Sequence, residues 1–415
     1  MAVQKVLLRI IDVRWALCAA LGLLLLTSIW LGAYRLLANR TSDVAPSLAV
    51  RAVPISIHPH PQRCLPIADD DLQKIRDQVQ PLDEGLSSSL YLHALRVFGP
   101  NCQYQRGKLS SSSDTLKLFA DEAFSRKIFG SALMVPTPYG IRCTSDRSHG
   151  KRESHRDYCL AVLSEQGVPI DLPMNVGGKA FTFRDFLKDS IANFHLDQEE
   201  IEWTAMAYAM WLPPDRTWTN KFGQRFSFDQ LATELLQRPL DRAVCAGGHV
   251  VQALIVLARV DDEECSILTP EVRSKVMGRL AESVREVEVT QAADGSWGPD
   301  WYERLLNHRN DAPAQRTWSI DNSAVEGRLL ATSHIAEWLM YLPEELQVPD
   351  ERLARSGRWL VAQLKDRDSE FVKKNFCPCT HGAIVLQLIR STADEPVVDQ
   401  PHDGVFLSVH MEDER

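Results

Sequence analysis

Positive charge is in short supply in this chain: 46 Lys and Arg stand against 55 Asp and Glu, a formal net charge of -9 over 415 residues. A nucleic-acid surface is built on a basic face, so nucleic acid is excluded as a partner. Strand-like alternation of apolar and polar residues is scarce, which points away from sheet architectures. No G-x-S-x-G nucleophile elbow occurs. The stretch "GGKAFTF" at 177–183 reads as a glycine turn entering a helix and lacks the spacing of a phosphate loop. Nine cysteines are present, but none falls in the CxxC…CxxC form that marks a zinc site by spacing alone. With Cys18 set aside, eight lie in the body of the chain, and their even number does not establish pairing.

What is present begins with an apolar run. Residues 15–34, "WALCAALGLLLLTSIWLGAY", carry no charge. At 1.5 Å per residue about 20 helical residues just cross the hydrocarbon core of a bilayer, so this run is expected to be a single transmembrane anchor. It follows a basic segment, 1–14, with Lys5, Arg9 and Arg14, while Arg35 and Arg40 come after it. That bias predicts a single-pass membrane protein with a cytoplasmic N-terminus and an extracytoplasmic body. Residues 35–65 include four prolines within 42–63 and read as an extended tether, whose His58 and His60 are expected to be solvated. An acidic tail, 393–415, is expected to be disordered.

Between these ends, over 66–392, apolar residues recur at three- and four-residue steps, the mark of an all-α fold. Amphipathic segments at 114–129, 182–194, 227–237, 270–289 and 349–364 each precede a more uniformly apolar one. The apolar partners start at Ser154, Glu199, Gly248, Ser333 and Thr380, intervals of 45, 49, 85 and 47 residues. The long interval holds a polar stretch, 298–332, expected to be an inserted loop. A period near 47 signals a repeated helical hairpin, and the pair "DDDLQKIRDQVQ" and "SSSLYLHALRVFG" adds a sixth unit to the five. Alternation of polar-faced and apolar helices predicts two layers, apolar helices inside; on periodicity alone an open solenoid fits equally.

One motif narrows the choice. "VEVTQAADGSWGPDW", residues 287–301, resembles the Q-x(2–5)-G-x-W signature of the squalene cyclase and protein prenyltransferase superfamily, with Gln291, Gly295 and Trp297 at the matching positions. The resemblance implies an α/α toroid, with the glutamine capping a helix end and the tryptophan packing between repeats. Terpene-cyclase chemistry is not implied, because the D-x-D-D acid motif of those cyclases is missing. "RVDDEEC" at 259–265 is acidic, but it follows an apolar helix and reads as a solvated loop.

If hairpins alternate, all inner helices run in one direction and their N-termini gather at one mouth. Residues at those starts are His155, Glu199, Glu200, Cys245, His249, His334, Cys379 and His381. A histidine in the first turn of a helix is more often a satisfied polar plug than a ligand, but four recur here at one phase. Imidazole and thiolate are good zinc ligands, and the positive end of the helix dipole favours the thiolate. Prenyltransferase β-subunits and lantibiotic cyclases resemble this arrangement in holding zinc with Cys and His near inner-helix starts. "CTHG" interposes Thr380 where the lantibiotic enzymes have adjacent Cys-His-Gly.

Helix spacing of about 8–10 Å keeps all four histidines from one ion. Two subsets from adjacent helices are the candidates: His334 with Cys379 and His381, or His249 with Cys245 and His334. Glu153, Glu199 and Glu200 are available nearby as general bases. Two readings follow. One is a membrane-anchored toroid that binds a substrate or peptide at the mouth, with zinc-assisted chemistry there. The other is a non-enzymatic scaffold with a metal-free polar rim, binding a protein, a lipid or an apolar small molecule.

Overall fold

A computed structural model describes residues 49–60, 65–80, 88–104, 108–144, 155–214, 217–243, 245–264, 267–303 and 325–390. The expected anchor at 15–34, the tail at 393–415, Glu153 and residues 304–324 lie outside the described residues. Among those described, no helix is long and apolar enough to cross a membrane. The chain divides into two compact units, Ala49–Asn220 with Arg225–Arg415, and Met1–Leu48 with Lys221–Gln224. The second contributes only its four-residue turn to the described residues, and the fold described below is that of the first.

The unit is mostly helical. Its helices are α1 Asp69–Gln78, α2 Ser88–Phe98, α3 Ser112–Ala120, α4 Glu122–Phe129, α5 Tyr158–Glu165, α6 Phe183–Ala192 and α7 Ile201–Trp211. They continue as α8 Phe228–Gln237, α9 Gly248–Glu264, α10 Pro270–Thr290, α11 Val325–Leu339, α12 Asp350–Leu364, α13 Ser369–Lys374 and α14 Phe376–Ile389. Among the described residues, strands occur only as three short antiparallel pairs, β1 Met134–Thr137 with β2 Gly140–Cys143, β3 Pro173–Val176 with β4 Lys179–Thr182, and β5 Trp218–Thr219 with β6 Arg225–Phe226.

Six helices are apolar on nearly every face: α2, α5, α7, α9, α11 and α14. In α7 all eleven residues from Ile201 to Trp211 are buried, as expected of a helix surrounded by others. These six pack in order, α2 on α5, α5 on α7, α7 on α9, α9 on α11 and α11 on α14, and α14 packs back on α2. The contacts close a cycle. The amphipathic helices lie against it: α8 on α7 and α9, α10 on α9, α12 on α11 and α14, and α1 on α12 and α14.

Helix ends follow local chemistry. At the start of α8, Ser227 Oγ accepts from Gln230 N at 3.4 Å and Gln230 Oε1 accepts from Ser227 N at 3.0 Å, a reciprocal cap. The segment expected as one helix over 114–129 is instead two, because Asp121 leaves the helical region and its carboxylate accepts from Ala123 N and Phe124 N, capping α4. "GGKAFTF" forms the β3–β4 hairpin turn and then opens α6.

Four further expectations are corrected. "RVDDEEC" is not a loop up to Glu264: α9 runs on, and buried Asp261 accepts from Leu268 N at 2.9 Å and from Arg273 at 3.1 Å, so its charge is spent joining α9 to α10. The stretch 298–332 is not loop throughout, since α11 begins at Val325, where apolar residues resume at helical spacing. His334 and His381 therefore lie inside their helices and not at their starts. The described part of the Pro-containing tether is extended but docked. Ile55 N donates to Met210 O, Arg51 N to Trp211 O and His60 N to Met340 O, and His60 Nε2 lies 2.7 Å from Leu342 O. The strap thus satisfies carbonyls that the ends of α7 and α11 leave open, which is why His60 is not solvated.

Gln291, Gly295 and Trp297 knit repeats together. Gln291 Nε2 donates to Gly295 O and, at 3.1 Å, to Arg352 O of α12, while its Oε1 accepts from Arg355 at 2.6 Å. Gly295 has φ +94, and a Cβ there would meet the Arg355 carbonyl group at 2.5 Å. Trp297, fully buried, donates from Nε1 to Val287 O at 2.7 Å and from its backbone N to Thr332 Oγ1 at 2.9 Å.

Candidate metal centre

Four of the six apolar helices, α2, α9, α11 and α14, together with the turn before α9, bring two sets of metal-ligating side chains together: Cys245, His249 and His334, and His93, Cys377 and His381. Within each set the donor atoms lie within 4.8 Å of one another. The first set is one of the two expected from the sequence. The other expected set, His334 with Cys379 and His381, fails at the cysteine. Residues four apart share a helix face and residues two apart do not, so Cys377 joins His381 while Cys379 turns away, wholly buried, its thiol pushed up to about 12 by burial. His93, on α2, joins from across the closure of the cycle.

The rings touch. His334 and His381 have centroids 3.9 Å apart, His249 and His334 5.0 Å, and His93 and His381 5.4 Å. His249 also reaches His381, at 5.9 Å, although α9 and α14 are not neighbours. Helix-start spacing overestimated this separation because both side chains point to the interior.

Each ring is held through Nδ1. Buried Glu337 pairs with Nδ1 of His381, and Leu330 O lies 2.8 Å from that of His334. Gln252 Oε1 lies 3.2 Å from Nδ1 of His249; Ser89 O and Tyr158 Oη each lie 2.8 Å from that of His93. Among the described residues, the Nε2 atoms of His334 and His381 are buried with no hydrogen-bond partner. An orphaned buried imidazole nitrogen costs about 1–3 kcal/mol unless something binds it. A ring fixed at Nδ1 by a carboxylate or carbonyl and free at Nε2 is the usual posture of a metal-ligating histidine.

Burial keeps three of the four imidazoles in the neutral form that binds a metal. Burial lowers His93 to about 3 and pushes His249 and His381 well below their ordinary value, so these imidazoles are neutral near pH 7. Burial pushes His334 down too, but the Cys245 thiol and Glu337 pull it back above its usual value. The Cys245 thiol is raised by its contact with Cys377 and by burial. Against burial, Arg96 and then His381 hold Glu337 well below the usual carboxylate range. Arg96 reaches Glu337 at 2.6 Å and Glu165 at 2.8 Å.

Comparison with protein-family models, curated proteins and solved structures gives no match to this chain. What the site can do therefore rests on its own geometry.

The remaining candidates lie to one side. His155 pairs through Nδ1 with Glu200, both about a fifth to a quarter exposed, while Glu199 is exposed. A chain of rings leads from this pair inward: His155 to Trp203 at 6.2 Å, then Trp203 to His249 at 4.2 Å. Backbone strain marks the same place. Among the described residues the non-glycine positions with positive φ are Asp157, Glu200, Cys245 and Ala246, all at the entrances of α5, α7 and α9, and such strain concentrates at functional sites. Trp301 steadies the last of these by donating from Nε1 to Ala246 O at 3.0 Å. Gly248 lets α11 approach, since a Cβ there would lie 3.1 Å from the Cβ of His334. Two surface grooves, of about 270 Å³ along α8 and about 400 Å³ along α1, are lined mainly by one outer helix each and hold no such convergence of donors.

Proposed function

We propose that this chain is a membrane-anchored α/α toroid of the squalene cyclase and prenyltransferase type, with a zinc centre inside its ring of inner helices and a substrate or peptide bound at the mouth beside it. The observation that carries this reading is the pair of buried, unpartnered Nε2 atoms of His334 and His381 among thiol and imidazole donors. Zinc fits that donor set, since it takes Cys sulfur and His nitrogen in a tetrahedral shell. The closed cycle of helix contacts supports the toroid over an open solenoid. The linkage made by Gln291, Gly295 and Trp297 supports the structural role that the resemblance implies.

Zinc held there supplies Lewis acidity. The chain's own groups do the rest. Glu337 fixes the tautomer of His381. Glu200 orients the part-buried His155 to accept a proton from a group bound at the entrance of α5 and α7. Trp203, buried between His155 and His249, packs the entrance pair against the inner imidazoles.

The test is the zinc content of the full-length chain purified in detergent, repeated on His334→Ala and His381→Ala. Near-stoichiometric zinc that falls in both variants is the expected result. A chain that folds without metal and is unchanged by either substitution refutes the reading in favour of a metal-free scaffold.

A further inference from the structure

The donors around His334 and His381 are too many for one ion. Zinc in a tetrahedral site takes four ligands, and a catalytic site keeps one position open, leaving three protein ligands. Here six side chains converge, in two sets of three. Each set has one thiol and two imidazoles, and each contains one of the two orphaned nitrogens: His334 Nε2 in the first, His381 Nε2 in the second. A single ion takes at most four of these six donors and would leave at least two unserved.

We propose that the site is dinuclear, with Cys245, His249 and His334 holding one ion and His93, Cys377 and His381 holding the other. The inference rests on the zinc-centre reading and extends it by a second, separate position. The two sets are supplied by different helices. Cys245 precedes α9 by three residues, with His249 in its first turn and His334 on α11; His93 comes from α2, and Cys377 and His381 from α14. Their seam is where the His334 and His381 rings lie 3.9 Å apart and the Cys245 and Cys377 thiols meet. Ions in two-metal sites sit on the order of 3.5–4 Å apart, which suits sets in direct contact. Charge balance agrees. Two thiolates, with Glu337 bonded to His381, would set negative charge against two divalent cations. The sequence shows the duplication as well: Cys245-x3-His249 and Cys377-x3-His381 place a thiol and an imidazole four residues apart.

The test is a cobalt(II) titration of the metal-stripped full-length chain in detergent, read by the sulfur-to-cobalt charge-transfer absorption, with zinc content measured in parallel. The expected end point is two equivalents per chain. Cys377→Ser and His93→Ala should each lose one equivalent and keep the band from the Cys245 site, while Cys245→Ser keeps the other. Circular dichroism establishes that each variant is folded, and the wild-type end point stands even if one is not. An end point of one equivalent, abolished by Cys245→Ser and untouched by His93→Ala, overturns the second position and leaves the single zinc centre standing. No binding at all overturns both.

Discussion

Arg96 is the residue whose removal the structure prices most clearly. Its guanidinium, 7% exposed, bridges Glu165 at 2.8 Å and Glu337 at 2.6 Å, the latter only 2% exposed. Arg96→Ala leaves the Glu337 carboxylate buried with His381 as its remaining partner. Breaking a buried pair by deleting one member costs about 3–5 kcal/mol, because the survivor keeps its desolvation penalty. For a domain of this size each kcal/mol moves the melting temperature by about 2 °C, so the midpoint should fall by about 6–10 °C. Thermal unfolding followed by far-ultraviolet circular dichroism measures the shift. Glu337→Gln is the control: it keeps the shape, removes the charge and relieves the buried carboxylate, so it should cost less than Arg96→Ala. A loss below about 1 kcal/mol for Arg96→Ala would mean that Glu337 is solvated or protonated, and the electrostatic frame around His381 would be wrong.

Other consequences are as sharp. Burial, with Glu200 adding to it, raises Glu202 to about 7 from 4.5. A carboxyl whose folded pKa is raised binds its proton more tightly when folded, so stability is greatest below about pH 4.5 and declines as pH rises to 7. The distance from 4.5 to about 7, at 1.36 kcal/mol per pH unit, is about 3 kcal/mol, and it should vanish from the urea-unfolding pH profile of Glu202→Gln. A profile identical to wild type would refute this. Gly295→Ala should destabilise by about 2 kcal/mol or more, since it combines a φ of +94 with a 2.5 Å clash against Arg355 backbone; an unchanged denaturation midpoint would show that the turn is free to move.

Much of the helical order was legible because periodicity depends only on which residues are apolar. The outer helices α8, α10 and α12 begin and end within a residue of their expected bounds. What failed depended on phase. Reading His381 as a helix start favoured Cys379 as its neighbour; placing it in the second turn of α14 selects Cys377, four residues before it. His93 was overlooked because it sits within an otherwise apolar helix, where one histidine carries no signal until the cycle closes α14 onto α2. Glu337 and Arg96 are invisible to spacing for the same reason, since 241 residues separate them. The C-x3-H spacing, present twice, was the signal that would have found both thiols.

The account's central claim is that α2, α9, α11 and α14 deliver thiols and imidazoles to one metal centre. Zinc K-edge X-ray absorption on the purified full-length chain tests it most directly. The prediction is a mixed shell with sulfur at about 2.3 Å and nitrogen at about 2.0 Å, with the sulfur contribution falling in Cys245→Ser and in Cys377→Ser. A shell of oxygen alone, or no zinc after purification, would contradict it.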